Sequence, residues 1–362
     1  MKAHYLGRSL GFLLTLSIFS LFSCSEDRDE LVRELSIMSS KEMIESLTKE
    51  VKNARITVGI VQNGEMSFVV YGENGKILSN IEYIYPIHSI SKAITGHLFA
   101  RAIHENLITL ENINDSIDQY LDLPPKDYYP TIRRLLTHTS GLNEPSSHLM
   151  RPKSATFENP WYGITKKMIL QEIGGINLEN KDYPFNYSNF GIALAGLVLE
   201  KIFNEDYTSL ANQYFRDLGL NNTRVDNGSG NLSLYYRWNS GNPYIPAAGM
   251  VSTVTDLMKF AQMEMDEAHP YAEYAHRVWA EVSVPGQTVP ELDISIDAMG
   301  LAWRINFGNN YIWHTGGADT YRTKLTFNTN ENIAVVILSN ISTRENRTPV
   351  AAIASKIIKE LH

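Results

Sequence analysis

Strand-like sequence in this chain gathers at its two ends, with a long helix-rich stretch between them. Thr57 to Gln62 and Met66 to Tyr71 flank Asn63-Gly64. That pair suits a two-residue type I′ hairpin, whose two central positions both need positive φ. Near the other end, Tyr311 to His314, Thr323 to Phe327 and Ile333 to Leu338 read as strands, the last two joined through residues 328–332. Pro349 sits where it can open a helix to the terminus, since a first-turn residue has no intrahelical N–H bond to lose. The middle reads as helix, as in Ile192–Phe203 and Tyr207–Leu218. This order predicts an α+β fold, an α/β sandwich in which an antiparallel sheet is built from both chain ends and flanked by helices. A mostly helical lobe is inserted into it. Single cores stop growing near about 250–300 residues, so two lobes sharing one cleft are expected: 36–85 plus 290–362, and 86–289. Reactive groups would meet at the seam, where pockets commonly form.

The first 23 residues read as an export signal: Lys2 and Arg8 charge the start, and an apolar run follows from Leu10 to Phe22. That run is short for a helix that spans a bilayer, which needs about 20 residues. Leu21-Phe22-Ser23 then precedes Cys24, the single cysteine of the chain, so no internal disulfide can form. The segment resembles a bacterial lipobox, looser than usual at Phe22, and implies lipidation at Cys24 and attachment to the envelope membrane. An ordinary signal peptide or an uncleaved anchor is the alternative. Residues 24–35 read as a tether whose Ser25-Glu26-Asp27-Arg28-Asp29-Glu30 is acidic and solvated. Such a stretch resembles a surface-export signal of some Gram-negative lineages. A net charge of −8 without a basic cluster argues against a nucleic-acid partner.

The chemistry-bearing segment is Pro86-Ile87-His88-Ser89-Ile90-Ser91-Lys92-Ala93-Ile94. Residues three apart on a helix share a face, so Lys92 can reach the Ser89 hydroxyl. A free serine is a poor nucleophile and needs an adjacent base. A lysine serves as that base only when burial or a positive neighbour lowers its pKa, and the apolar run Ala93, Ile94, Leu98, Phe99, Ala100, Ile103 offers burial. A second Ser-x-x-Lys, Ser46-Leu47-Thr48-Lys49, falls in a charged amphipathic stretch and reads as solvated surface.

Four further blocks follow the serine in order. They are Leu135-Leu136-Thr137-His138-Thr139-Ser140-Gly141-Leu142, Phe185-Asn186-Tyr187-Ser188-Asn189-Phe190-Gly191, Ala247-Ala248-Gly249-Met250-Val251-Ser252-Thr253 and His314-Thr315-Gly316-Gly317. With the serine block they resemble the serine β-lactamase-like superfamily, in the branch of class C β-lactamases, D-Ala-D-Ala carboxypeptidases and related esterases. The resemblance runs from about Ile56 to Asn340. It implies that Ser89 is the acylated nucleophile, Lys92 its proton partner and Tyr187 a general base that later protonates the leaving group or activates water. Which of Lys92 and Tyr187 takes the first proton stays open. Asn189 would serve Lys92 and a substrate amide. Thr315 and Gly316 would line the substrate strand, and the N–H groups of Gly317 and Ser89 would form the oxyanion hole.

His314 departs from the lysine that commonly heads this strand. A histidine with its ordinary pKa near 6.5 is mostly neutral above about pH 7. Binding of substrate carboxylates is therefore expected to weaken as pH rises. Asp319-Thr320 before Tyr321 also depart from the Pro-Gly pair of many relatives. The loops that mark class A enzymes are missing from matching positions, as are a Gly-x-Ser-x-Gly elbow, a His-Glu-x-x-His motif and a Walker-type loop. His97 and His104 read as structural residues, and His138 as a donor or acceptor to backbone.

The expected protein is a monomeric, lipid-anchored envelope serine hydrolase acting on small amides or esters, D-amino-acid peptides among them. No metal or organic cofactor is required. A class C-like β-lactamase is the enzymatic alternative, and a non-catalytic receptor for wall fragments the alternative of another class.

Overall fold

The computed structural model describes residues 28–144, 159–266, 268–318, 320–341 and 347–362, with side chains from residue 349 in the last segment. Cys24 and most of the acidic tether lie outside these residues, as does Asp319. Two antiparallel sheets organise the chain. The larger holds β1 (Ile56–Gln62), β2 (Glu65–Tyr71), β6 (Ala280–Glu281), β7 (Ala298–Met299), β8 (Arg304–Asn306), β9 (Tyr311–Gly317), β10 (Arg322–Asn328) and β11 (Ile333–Ser339). Their order across the sheet is β2-β1-β11-β10-β9-β8-β7-β6. The smaller sheet sets β5 (Met250–Ser252) between β3 (Tyr85–Pro86) and β4 (Arg224–Val225).

The two chain ends meet as expected, because β1 pairs with β11 from Ile56↔Ser339 to Gln62↔Ile333. The hairpin between β1 and β2 turns at Asn63 and Gly64, both with positive φ. The strands from Tyr311, Thr323 and Ile333 run longer than the sequence suggested, and β6 begins upstream of residue 290. A two-residue strand is too short to leave a periodic signal in the sequence.

The unbroken apolar run of β11 follows from helices on both faces of the sheet. Ala334, Val336 and Leu338 pack into the core that holds helices Ile90–His104 and Val254–Met265. Ile333, Val335 and Ile337 face the other core, built with Met43 and Ile44 of helix Ser40–Thr48 and Ile353 and Ile358 of helix Arg347–Glu360. Ser46 belongs to that first peripheral helix, away from the serine block. Among the described residues, no helix is long and apolar enough to cross a membrane.

His97 is fully buried, as a structural residue. Its Nε2 lies 2.7 Å from Glu264 Oε1, while Glu264 Oε2 lies 2.6 Å from His276 Nε2. Its Nδ1 pairs with the Tyr214 hydroxyl. Despite burial, the two imidazoles hold the Glu264 carboxyl down at about 2. This cluster ties the Ile90–His104 helix to Val254–Met265 and to the short helix Ala272–His276. A charge removed from water is tolerable only when paired in this way.

Candidate active site

Ser89 is the N-cap of the Ile90–His104 helix, yet its side chain makes no capping bond. A capping serine usually gives its oxygen to a first-turn N–H, worth about 0.5–2 kcal/mol. Here Ser89 Oγ lies 3.1 Å from Lys92 Nζ instead. The residue before it, His88, holds φ at 44°. That is a conformation costing on the order of 1–3 kcal/mol for a residue other than glycine. His88 is buried with its ring 5.3 Å from that of Tyr236, which keeps it in place. Burial pushes its imidazole down to about 3, with Arg322 and Lys92 reinforcing the shift.

Lys92 is fully buried. Its Nζ donates to Asn189 Oδ1 at 2.6 Å and to the Ala247 carbonyl at 2.7 Å. Both partners only accept. An ammonium has three donors, whereas an amine has two and a lone pair, so the third direction, toward Ser89, is where the protonation state matters. Burial pushes the Lys92 pKa below the usual lysine range, opposed by Tyr187 and Glu144 and assisted by Arg304.

The second wall is set by the helix Asn189–Phe203. Ser188 caps it by accepting from Gly191 N at 3.0 Å. That cap fixes Tyr187 just before the helix and Asn189 as its first residue, and explains why the helix begins earlier than Ile192. The Tyr187 ring centre lies 4.8 Å from Lys92 Nζ and 5.5 Å from the Arg304 guanidinium carbon. His138 packs beneath it with ring centres 4.6 Å apart. The Thr-His-Thr-Ser-Gly block is thus a support: His138 Nδ1 accepts from Ser188 N at 3.3 Å, and its carbonyl accepts from Asn186 N at 2.8 Å.

The third wall is β9. Thr315, Gly316 and Gly317 line, with Ser89, Tyr187 and Asn189, a cavity of about 510 Å³. A β-carbon on Gly316 would overlap the Ile87 carbonyl and the Thr323 hydroxyl, so only glycine allows the strand so close to the serine turn. β5 completes the frame: Ile87 N donates to the Met250 carbonyl at 3.0 Å, and Met250 N to Ser91 Oγ at 3.2 Å.

His314 does not sit as expected. It is fully buried outside the cavity wall, and its Nδ1 donates to the Thr315 carbonyl at 2.7 Å. Burial, with Arg304 and Lys92 nearby, holds its pKa well below the histidine range. A neutral, enclosed imidazole cannot supply the pH-dependent carboxylate contact that its place in the motif suggested. The permanent charge at this wall comes from Arg304 on β8, which lines the cavity and donates to Thr315 Oγ1 at 3.4 Å. Sequence reasoning missed it, because Trp303-Arg304 belongs to no recognised motif and a three-residue strand shows no periodicity. Glu144 was also missed. Its carboxylate accepts from the N–H groups of Asn189 and Phe190 at the start of their helix, a favoured place for negative charge. Among the described residues, no cluster of metal-binding side chains is present.

Comparison with known proteins agrees with this architecture. Protein flp of Staphylococcus aureus strain N315 is 22% identical over 309 residues, 78% of this chain and 59% of flp, so the chain spans less than two thirds of that relative. A putative fimbrial assembly protein FimD, serogroup D, of Dichelobacter nodosus is 28% identical over 206 residues, 53% of this chain and 47% of that protein. Among solved structures, a beta-lactamase/D-alanine carboxypeptidase from Pseudomonas syringae superposes with a TM-score of 0.66 at 18% identity, covering 89% of this chain and 99% of that one. A class C beta lactamase from Rhodobacter sphaeroides gives 0.65 at 17% identity, with 89% and 99% coverage. These structures share the fold. The Beta-lactamase family model spans residues 42–357, from the first peripheral helix to the last, and the chain therefore belongs to the beta-lactamase family, with its serine-hydrolase fold.

Proposed function

We propose that this protein is a serine hydrolase that forms an acyl-enzyme on Ser89 with small amides or esters, D-amino-acid peptides among them. The observation that carries the reading is the coordination of Lys92. Two of its three directions are taken by the acceptors Asn189 Oδ1 and Ala247 O, and the third points at Ser89 Oγ. In the amine form, Lys92 takes the serine proton while Oγ bonds to the substrate carbonyl carbon. The N–H groups of Ser89 and Gly317 hold the resulting oxyanion; each such donor contributes about 2.7–4 kcal/mol. The proton then passes through Lys92 or Tyr187 to the departing amine or alcohol. Water attacks the ester in turn, giving its proton to the same pair.

The test is intact-mass analysis after exposure to a fluorophosphonate. One adduct is expected on the native protein and none on Ser89→Ala; an adduct of equal yield on that variant refutes the assignment. A panel of nitrocefin, a short p-nitrophenyl ester and a D-Ala-D-Ala peptide then separates β-lactamase, esterase and carboxypeptidase. Saturable binding with no turnover on any of them points to a receptor.

A further inference from the structure

The turn that follows the oxyanion strand is held by a side chain that the serine chemistry does not use. β9 ends at Gly317 and β10 begins at Arg322, and these two residues face each other in the ladder. Arg322 is buried, and its Nη1 donates to the Tyr321 carbonyl at 2.9 Å and to the Ala318 carbonyl. Ala318 N donates to the same Tyr321 carbonyl at 3.1 Å. The guanidinium therefore ties the two strands together where their ladder ends. Gly317 shows the contact from its own side. A β-carbon there would lie 2.7 Å from Arg322 Nη1 and 3.1 Å from Arg322 Cδ. Glycine leaves room for the guanidinium to lie on the main chain whose N–H is assigned to the oxyanion.

A Pro-Gly pair in this turn would stiffen it from within, because proline fixes φ. The sequence has Asp319-Thr320 in that place, and neither residue type restricts the backbone in that way. Stiffness must then come from contacts, and three converge on the start of β10. Tyr321 is buried with its hydroxyl on the Ser233 carbonyl. Arg322 spans the turn. Thr323 Oγ1 donates to the Ile87 carbonyl at 3.3 Å, two residues before Ser89. Gly317, Ala318, Arg322 and Thr323 all line the cavity beside Ser89. An oxyanion donor has to stand about 2.7–3.1 Å from where the charge develops. A displacement of about 1 Å can cost on the order of 10²-fold in rate.

We propose that Arg322 is a positioning residue for the oxyanion hole: its guanidinium clamps the turn between β9 and β10 and fixes the direction of the Gly317 N–H, a role that rests on the hydrolase reading. The planar fork of N–H groups suits the task, since it can serve carbonyls on both sides of a turn from one rigid group. A lysine offers only a compact point charge on a flexible stem. Arg322 acts through the main chain, so its removal should weaken the tetrahedral state and leave substrate capture nearly unchanged. Acylation and deacylation both pass through an oxyanion, and both should slow.

The test uses phenylboronic acid, which mimics the tetrahedral state. Ser89 Oγ bonds to boron, the hydroxyl proton leaves to Lys92 or water, and boron becomes a tetrahedral anion whose oxygen faces the Ser89 and Gly317 N–H groups. Boron NMR reports the adduct. Arg322→Met should weaken phenylboronate binding at least about tenfold and lower kcat for p-nitrophenyl acetate by a similar factor, with KM within about twofold of native. Both values are normalised to the fraction that fluorophosphonate labels at Ser89, which removes any loss of folded protein. Phenylboronate affinity within about twofold of native overturns the proposal. Should Arg322→Met fail to fold, Arg322→Lys decides: a loss of at least about threefold is expected because the fork is gone, and native affinity overturns the role. A double-mutant cycle reads the contact itself. Gly317→Ala should weaken phenylboronate binding by a smaller factor in the Arg322→Met protein than in the native one, because its β-carbon then meets no guanidinium; equal factors in both overturn the contact. Labelling and a tetrahedral boronate that are indifferent to Arg322 sink the positioning role alone. A native protein that takes neither sinks the hydrolase reading and this role with it.

Discussion

The side-chain carbonyl of Asn189 lies 2.6 Å from Lys92 Nζ, so a neutral acceptor, not a carboxylate, faces the buried amine. The difference of one atom controls the proton. A carboxylate there would favour the ammonium by about one to three pKa units. Asn189→Asp is therefore expected to move the acidic limb of the pH profile of kcat/KM upward by at least about one unit and to slow turnover at neutral pH. A pH series with p-nitrophenyl acetate checks it; an unmoved limb means that Lys92 is not the titrating base.

Tyr187 faces both Lys92 and Arg304 across its ring. Tyr187→Phe keeps the ring and loses the hydroxyl. General acid–base groups contribute about 10²–10⁴-fold, and a loss of kcat in that range is expected, with Ser89 still labelled slowly by fluorophosphonate. A change below about twofold removes Tyr187 from proton transfer.

Because His314 is held neutral by burial, its titration should not alter any preference between carboxylate and neutral substrates across neutrality. The ratio of kcat/KM for p-nitrophenyl hydrogen glutarate to that for p-nitrophenyl pentanoate is expected to stay flat from about pH 6 to 8, since no histidine charge is lost there. A fall centred near the ordinary histidine pKa would return the role to His314.

The Glu264 carboxyl, held at about 2 against an ordinary 4.5, links stability to acid. Its folded pKa is depressed, so its contribution is complete above about pH 4.5 and drains away as pH falls toward 2. Glu264→Gln removes the buried carboxylate that both His97 and His276 contact and should cost about 3–5 kcal/mol. Urea unfolding at pH 7 and pH 3 reads both effects: the native protein should lose stability between them, and the variant should lose less.

We propose from the sequence that Cys24 is lipidated and anchors the protein to the envelope membrane. Cys24→Ser should release it to the soluble fraction after expression in a Gram-negative host. Unchanged membrane association would favour an uncleaved anchor.

Much of the fold was legible because its signals are local. Asn63-Gly64 announces a turn, and β9, β10 and β11 are long enough to show their strand character. The edge strands β6, β7 and β8 were hidden, since two or three residues carry no period and their pairing depends on partners far along the chain. At the site, Ser89, Lys92, Tyr187 and Asn189 were readable as motif positions, and the structure brings Ser89, Tyr187 and Asn189 around one cavity with Lys92 buried behind the serine. What the motif could not convey was enclosure. His314 looks like a titrating group in the sequence, yet the cores above and below β9 remove it from water. Arg304 and the Ala247 carbonyl escaped notice for the opposite reason: one is a lone cation in an unremarkable strand, the other a backbone atom.

The pairing of β1 with β11 bears on the order of events during synthesis. Ile56 leaves the ribosome hundreds of residues before its partner Ser339, and the sheet cannot close until that late strand arrives. The wall formed by Thr315, Gly316 and Gly317 depends on β10 and β11 for its own support. A nascent chain therefore carries Ser89 and Lys92 for most of its synthesis without the surface that would hold a substrate against them, and reactivity should switch on only when the last strand docks.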